Sequence, residues 1–201
     1  GVEELKLQDY KVIPDRIEAG SYILATMATK GRLKLNNFNP KDLALPLKLY
    51  KGMGLKIKKL SNSSYEIYCK TLKPIKKIST KEFPGYPTDL QAQLIATQLK
   101  SGLKSKVVEN IFENRFIHIP ELRRFGANLS IKGKTVTIDK TSNLLGAEVM
   151  ATDIRASFSL IIAAMMSKGK TVINRIYHLD RGYEDFDLKL KKCGVNISRK
   201  K

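Results

Sequence analysis

Three segments of this 201-residue sequence repeat one pattern, and the repetition limits the folds that the chain can adopt. Each copy opens with a short motif around an aspartate, at residues 14–19, 87–92 and 151–156. An apolar stretch with helical spacing, a strand-like stretch and a second helix then follow in the same order. The pattern predicts a repeated unit of strand, helix, strand, helix and strand.

The second helix of each copy has a recognisable end, because cations in its last turn precede a glycine. These glycines are Gly52, Gly126 and Gly194. Further strands are predicted after the first two glycines, at residues 65–69 and 135–138, and a hairpin turn at residues 132–134 leads into the second of them. Each unit should therefore carry a small sheet beside its helices.

The copies are spaced more widely than ordinary solenoid repeats, which favours three units closed around a pseudo-threefold axis. The first helix of the third copy, around residues 154–165, is apolar on nearly all sides and belongs in a core. We therefore expect an α/β (α+β) fold, an inside-out prism of three βαβαββ-like units with helices inside and sheets outside. One domain is expected over residues 1–201, with repeats at roughly 8–70, 75–140 and 145–201.

The charge of the chain is strongly positive, with 37 Lys and Arg against 19 Asp and Glu and a net charge of +18. Such a charge first suggests a nucleic-acid partner. The lysines, however, are scattered over the whole length, form no long run and do not alternate with aromatic residues as a stacking surface requires. The favoured interpretation is a lysine-rich solvated surface, with no nucleic acid bound.

Several other classes of protein are disfavoured by the sequence. The longest apolar run, residues 160–166, is too short to span a bilayer, and no signal peptide is visible. Cys69 and Cys193 lack metal-ligand spacing and suit a reducing cytoplasm. His118 and His178 are isolated from other ligand residues, so no metal is expected. No cofactor is expected either.

Each first helix begins near an aspartate, and these three residues are the first candidates for chemistry. They are Asp15, Asp89 and Asp153, and the last two follow Thr88 and Thr152, which are predicted as N-caps. For any single one of them, helix capping is the default interpretation. Three equivalent helix starts at one end of a threefold body would, however, form a region that attracts anions.

Three arginines are predicted at or just ahead of helix starts. They are Arg115, Arg155 and Arg181. A cation there opposes the helix dipole, so a purely structural role is a poor explanation. Arginine pairs well with planar carboxylates and phosphates, and we favour anion binding over surface salt bridges for these three residues.

Five strings resemble one family over essentially the whole chain. They are PDRIEAG at residues 14–20, FPGYPTDLQAQ at 83–93, FENRF at 112–116, ATDIRAS at 151–157 and RIYHLDRGYE at 175–184. In these strings the chain resembles the UDP-N-acetylglucosamine 1-carboxyvinyltransferases, which are enolpyruvyl transferases of peptidoglycan synthesis. The related shikimate-pathway enolpyruvyl transferases share the fold and match these strings less well.

The resemblance implies a two-domain enzyme in which each domain has three inside-out α/β units and the active site lies in the cleft between them. This chain corresponds to the C-terminal half, so the N-terminal domain is an implied partner. The implied reaction transfers the enolpyruvyl group of phosphoenolpyruvate to the 3-hydroxyl of UDP-N-acetylglucosamine and releases phosphate. Cell-wall biogenesis, cell shape and cell division follow as the implied biology. The isolated half is expected to be inactive; the alternative is a non-catalytic basic domain that binds nucleic acid or a protein partner.

The resemblance also implies roles for individual residues. Asp89 matches the aspartate that contacts the sugar hydroxyl and acts as general base, and Asp153 matches a second aspartate near the reacting carbons. Asp15 matches an acidic residue near the domain hinge. The implied substrate-binding residues are Thr88, Asp89, Ile111, Phe112, Glu113, Arg115, Arg155 and Arg181, of which the three arginines hold the phosphoenolpyruvate carboxylate.

Overall fold

Helices and short strands alternate along the chain. The computed structural model describes residues 1–200. The helices are α1 (Arg16–Ala28), α2 (Ala44–Gly52), α3 (Gln91–Gln98), α4 (His118–Arg124), α5 (Ile154–Met166), α6 (Tyr177–Asp180) and α7 (Phe186–Lys192). The strands are β1 (Arg32–Leu35), β2 (Leu55–Lys59), β3 (Tyr65–Cys69), β4 (Lys77–Ser79), β5 (Ser105–Val108), β6 (Leu129–Lys132), β7 (Thr135–Ile138), β8 (Glu148–Met150) and β9 (Val172–Asn174). Two 3-10 turns, Pro40–Leu43 and Thr88–Leu90, precede α2 and α3.

Three helices form the centre of the molecule, because α1, α3 and α5 pack against one another. Residues 20–28 of α1, all of α3 and residues 156–163 of α5 are buried without interruption. A helix that is buried on every side has no solvent face, which explains why these segments lack the polar stripe of a surface helix. The prediction that helices lie inside is confirmed.

The sheets lie outside the three helices. β1, β3 and β2 form an antiparallel sheet in that order, and β4, β5, β7 and β6 form a second sheet in which β4 is parallel to β5. β8 and β9 form a parallel pair. In β5, Ser105 and Val107 are buried while Lys106 between them is exposed. This alternation directs apolar side chains to the helices and lysines to solvent.

The hairpin between β6 and β7 is the one that the sequence predicted. Lys132 pairs with Thr135, so Gly133 and Lys134 form a two-residue turn. Gly133 has a φ of 54°, a left-handed conformation that glycine adopts without steric cost. The predicted strands at residues 65–69 and 135–138 also match β3 and β7 residue for residue.

The three units are less regular than the repeat pattern predicted. Within residues 1–200, no strand precedes α1 and none follows α7, whereas β4 and β8 occupy the leading position in the other two units. A strand persists only where a neighbour takes up its backbone hydrogen bonds. Near the C-terminus, Arg199 instead binds Asp180 at 3.0 Å and Asp187 at 2.9 Å, which places that segment across α6 and α7.

A small polar network is buried where the central helices meet. The Ser21 hydroxyl lies 2.8 Å from the Tyr183 hydroxyl, and Gln93 Nε2 donates to both oxygens at 3.1 and 3.2 Å. Phe158 of α5 stacks on Tyr183 with ring centroids 4.6 Å apart. The network therefore connects α1, α3 and α5 with the loop that precedes α7.

Candidate active site

Two of the three repeated aspartates cap helices. Asp15 begins α1 and Asp153 begins α5, and one carboxylate oxygen of each accepts hydrogen bonds from two first-turn amides at 2.7–3.1 Å. The prediction that Thr88 and Thr152 act as N-caps is wrong. The backbone ahead of α5 turns at Asp153, one residue later, so the carboxylate and not the Thr152 hydroxyl reaches the free amides.

Asp89 differs from the other two aspartates. It lies in the Thr88–Leu90 turn, and its Oδ1 accepts a hydrogen bond from Arg115 Nη2 at 2.8 Å. The same oxygen is 3.7 Å from Arg155 Nε. The two arginine side chains are only 26% and 22% exposed. The structure therefore brings together Asp89 and Arg115 of the second repeat and Arg155 of the third, and these three residues are called the Asp89 cluster.

The two arginines are held in place and still have hydrogen-bonding capacity. The Arg115 guanidinium lies 4.7 Å from the centroid of the Phe112 ring, a cation–π contact that restricts its movement. Arg155 Nη1 is buried and has no protein acceptor within residues 1–200. Arg155 also lies beside the buried Tyr183 hydroxyl, where burial raises the pKa of Tyr183 and the charge of Arg155 lowers it. The exposed 22% of the Arg155 side chain, whose Nε is 3.7 Å from Asp89 Oδ1, is the part suited to bind an anionic ligand.

Glu109 is the main site residue that the sequence reasoning missed. Its carboxylate is buried at the end of β5 and accepts four hydrogen bonds. Oε1 accepts from the Thr80 hydroxyl at 2.8 Å and from the amides of Ile111 and Phe112 at 2.8 and 3.2 Å. Oε2 accepts from the Thr88 hydroxyl at 2.7 Å. The sequence signal that could have identified this residue is an acidic side chain directly after Val107 and Val108, the apolar pair that ends β5.

The substrate-binding residues predicted around residues 111–113 lie at unequal depth. The Ile111 amide is occupied by Glu109, so its carbonyl is the backbone group left for a ligand. Phe112 is exposed and contacts Arg115. Glu113 is exposed as well, and the structure describes no hydrogen bond from its side chain to the rest of residues 1–200.

Within residues 1–200, Arg181 forms no ion pair with Asp89, unlike Arg115 and Arg155. It follows the last residue of α6, so its predicted position at a helix start is wrong, because the chain forms a one-turn helix there before α7 begins. Arg181 and Asp15 line a separate cavity of about 780 Å³. The adjacent Gly182 packs on Ile154 so closely that an added Cβ would lie 2.6 Å from its side chain. The loop that carries Arg181 therefore contacts the first residue of α5.

His118 is buried close to the site at the start of α4. Burial lowers its pKa from 6.5 to about 4, the nearby charge of Arg115 also lowers it, and the charge of Asp153 acts in the opposite direction. The imidazole is therefore neutral at physiological pH. Its Nε2 has no hydrogen-bond partner within the part of the chain that the structure describes.

The low pKa of His118 predicts a loss of stability in mild acid. Between pH 6.5 and about 4 the unfolded chain binds a proton at this residue and the folded chain does not, so the free energy of unfolding falls as the pH falls. The slope is at most about 1.4 kcal/mol per pH unit. Urea unfolding at several pH values should show this component in the wild type and not in His118→Gln. Above about pH 7.5 the two curves should run parallel, and equal acid slopes would contradict the assignment.

Neither a metal-binding group nor a membrane-spanning helix is present in the described residues 1–200. Residues 1–200 contain no group of three His, Cys, Asp or Glu side chains arranged to hold a metal ion. None of the helices in the same residues combines the length and the apolar character that a membrane crossing requires.

Comparison with known proteins identifies the family. The family model for EPSP synthase (3-phosphoshikimate 1-carboxyvinyltransferase) matches residues 1–190. The chain belongs to the EPSP synthase family. Members of this family are carboxyvinyl (enolpyruvyl) transferases.

Within the EPSP synthase family, curated relatives support the resemblance seen in the sequence. The UDP-N-acetylglucosamine 1-carboxyvinyltransferase of Pelagibacter ubique is 50% identical over 99% of this chain and 48% of its own length. The enzyme of the same name from Campylobacter hominis is 45% identical over 99% of this chain and 47% of its own length. This chain thus spans about half the length of the curated relatives that it matches.

Solved structures confirm the fold. The enolpyruvyl transferase NikO from Streptomyces tendae superimposes with a TM-score of 0.82 at 26% identity, over 93% of this chain and 44% of that chain. EPSP synthase from Acinetobacter baumannii gives a TM-score of 0.69 at 15% identity, over 95% of this chain and 45% of that chain, and shows the fold alone. The predicted α/β architecture is confirmed.

Proposed function

We propose that this chain is one half of an enolpyruvyl transferase that acts on phosphoenolpyruvate and UDP-N-acetylglucosamine. The observation that carries the proposal is the contact of the Asp89 carboxylate with Arg115 and Arg155. This arrangement combines a proton acceptor with two cations suited to a carboxylate or phosphate. The names of the relatives from Pelagibacter ubique and Campylobacter hominis support the choice of acceptor.

Asp89 is the proposed general base. Both arginine contacts use Oδ1, so Oδ2 is the oxygen that can accept the proton of the sugar 3-hydroxyl. The hydroxyl oxygen then bonds to C2 of phosphoenolpyruvate while a proton is added to C3, which gives a tetrahedral ketal. Loss of phosphate from C2 and of a proton from C3 restores the vinyl ether. Asp153, which begins the helix that carries Arg155, is the proposed partner in the proton transfers at C3.

The arginines are the proposed binding site for the phosphoenolpyruvate carboxylate. The Arg155 side chain is 22% exposed beside Asp89, and Arg115 is held by its contact with Phe112, so both can bind an anion with little loss of side-chain freedom. Arg181 is proposed as the third cation, from the loop that packs on the start of α5. Closure of the cleft would exclude water and strengthen these contacts.

The segments around residues 88 and 111 are proposed to bind the nucleotide sugar. Thr88 directly precedes Asp89, and the Ile111 carbonyl, which accepts no backbone hydrogen bond among the described turns and loops of residues 1–200, is proposed to accept from a sugar or amide donor. Phe112 and Glu113 would contact the outer part of the substrate from the exposed loop. Asp15 is proposed to support the hinge, because it begins α1 beside the cavity that contains Arg181.

The second half of the active site is proposed to come from an N-terminal domain of the same enzyme. The present chain is proposed as a single domain over residues 1–201, with repeats at roughly 8–70, 75–140 and 145–201. Action in the cytoplasm on peptidoglycan precursors follows from the proposed acceptor, as do roles in cell-wall biogenesis, cell shape and cell division. The proposed enolpyruvyl transfer needs neither a cofactor nor a nucleic acid.

A reconstituted enzyme tests the proposal. We expect the 201-residue chain alone to release no phosphate from phosphoenolpyruvate, since half of the binding cleft is missing. Fusion of the N-terminal half of the Pelagibacter ubique relative ahead of Gly1 should restore phosphate release that depends on UDP-N-acetylglucosamine.

Two controls make this test specific. 3-Phosphoshikimate in place of the nucleotide sugar should give no phosphate release, because the proposal assigns the other acceptor. Phosphate release by the isolated chain would contradict the proposal that this chain carries only half of the active site. A folded fusion that binds neither substrate, or that prefers 3-phosphoshikimate, would contradict the proposed function.

A further inference from the structure

The buried carboxylate of Glu109 is unusual because it has no cation beside it. The residue is 1% exposed, and no Lys, Arg or His among residues 1–200 forms an ion pair with it. Burial of a charge is unfavourable unless hydrogen bonds compensate for the lost water. Its four donors supply that compensation, and three of them, on Thr88, Ile111 and Phe112, belong to residues of the proposed site.

The hydrogen bonds of Glu109 join two segments that are far apart in sequence. One oxygen holds the Thr88 hydroxyl, and Thr88 is bonded through the chain to Asp89. The other oxygen holds the amides of Ile111 and Phe112. The Thr80 hydroxyl donates to the same oxygen at 2.8 Å and also accepts the amide of Asn110 at 2.8 Å, so the loop is fixed at consecutive residues.

We propose that Glu109 is a positioning residue that sets the distance between the Asp89 carboxylate and the Ile111 carbonyl. This inference rests on the proposed function, in which these two groups contact the same nucleotide sugar. Glu109 touches no substrate and acts through Thr88 on one side and through the 111–112 backbone on the other. Its loss should therefore affect the nucleotide sugar more than phosphoenolpyruvate, which is assigned to the arginines.

Both oxygens of the carboxylate are required as acceptors. A glutamine at this position would retain one oxygen for the two amides, but its NH₂ group would face the Thr88 hydroxyl and could not accept its proton. The Thr88 hydroxyl would have to reverse and would then lack an acceptor for its own hydrogen. Glu109→Gln therefore removes the contact with the Thr88 hydroxyl and keeps the contacts with the Ile111 and Phe112 amides, without a change of side-chain size.

Kinetics of the fused enzyme provide the first test. We expect Glu109→Gln to lower kcat/KM for UDP-N-acetylglucosamine by about 10²-fold, through a lower kcat and a higher KM, because a displacement of about 1 Å at a reacting group has an effect of that size. The KM for phosphoenolpyruvate should stay within about twofold. Thr88→Val should show the same pattern, and the double variant should be no worse than either single variant, since both remove one contact.

A matched control is available in Glu121. Its carboxylate also accepts a backbone amide, that of Met150, at 2.8 Å, but it has no contact with the Asp89 cluster within residues 1–200. Glu121→Gln should leave both KM values and kcat within about twofold of the wild type. An equal rise of both KM values in Glu109→Gln, or fully additive effects of Glu109→Gln and Thr88→Val, would overturn the positioning role.

Hydrogen exchange of the 201-residue chain provides a second test that does not depend on catalysis. Glu109→Ala should accelerate exchange of the Ile111 and Phe112 amides at least about tenfold, while amides of β6 and β7 keep their wild-type rates. Unchanged exchange at residues 111 and 112 would overturn the inference. A wild-type fusion without transfer activity would instead contradict the proposed function, and the exchange result would still decide whether Glu109 holds the loop.

Discussion

Replacement of Asp89 by asparagine is expected to lower kcat of the fused two-domain enzyme by about 10²–10⁴-fold, the range for loss of a general base. Asparagine has nearly the same shape and its amide oxygen can still accept the hydrogen bond of Arg115, which is 2.8 Å long in the wild type. It cannot accept the proton of the sugar hydroxyl. The KM for phosphoenolpyruvate should change little, because the arginines remain. Phosphate release at saturating concentrations of both substrates measures the effect.

The control for this experiment is Asp139→Asn. Asp139 forms an ion pair with Lys104 at 3.2 Å, next to the end of β7, so the same substitution is made beside a cation that has no assigned role in the reaction. Exposed pairs of this kind contribute little, and kcat should be unchanged. If Asp89→Asn retained wild-type kcat, Asp89 could not be the base and the role would pass to Asp153.

The second large effect concerns stability. Phe158 is fully buried in α5, stacks on Tyr183 and meets the Tyr22 ring edge-on at a centroid distance of 5.5 Å. We expect Phe158→Ala to lower the free energy of unfolding by about 3–5 kcal/mol, because the truncation leaves a cavity among the central helices. Urea unfolding of the 201-residue chain, followed by circular dichroism, measures the change.

Leu103→Ala is the matching surface truncation. Leu103 is 67% exposed in the loop before β5, so removal of its side chain creates no cavity. The change in the free energy of unfolding should be within about 0.5 kcal/mol. An equal loss in both variants, or a wild-type midpoint for Phe158→Ala, would show that α5 is not at the centre of the packing.

The sequence was most informative about the helices. The apolar character of residues 154–165 on nearly all sides correctly predicted a buried helix, because a surface helix requires a polar face. Turn chemistry at Gly133 predicted the hairpin between β6 and β7 for an equally local reason. Both predictions depend only on residues that are close together in the chain.

The pattern was less informative where long-range contacts decide the outcome. Asp15, Asp89 and Asp153 occupy equivalent places in the repeat, yet two of them cap helices and Asp89 pairs with arginines from other segments. The similarity of three motifs carries no information about which side chains meet across the axis. The same limit explains why Glu109 was missed, since its partners Thr80 and Thr88 are brought to it only by the sheet and the turn.

The hydroxyl pair of Ser21 and Tyr183, with Gln93 beside it, also limits how α1 and α3 can be aligned along their length. The hydrophobic effect is non-directional, so contacts made only of hydrocarbon would specify the relative height of these two helices less strictly. A shift of one helix by a single turn, about 5.4 Å, would leave buried hydroxyl and amide groups without partners. The network thus specifies the relative height of α1 and of α3, the helix that follows Asp89. The stacking of Phe158 on Tyr183 joins α5, the helix that carries Arg155, to the same point of the core.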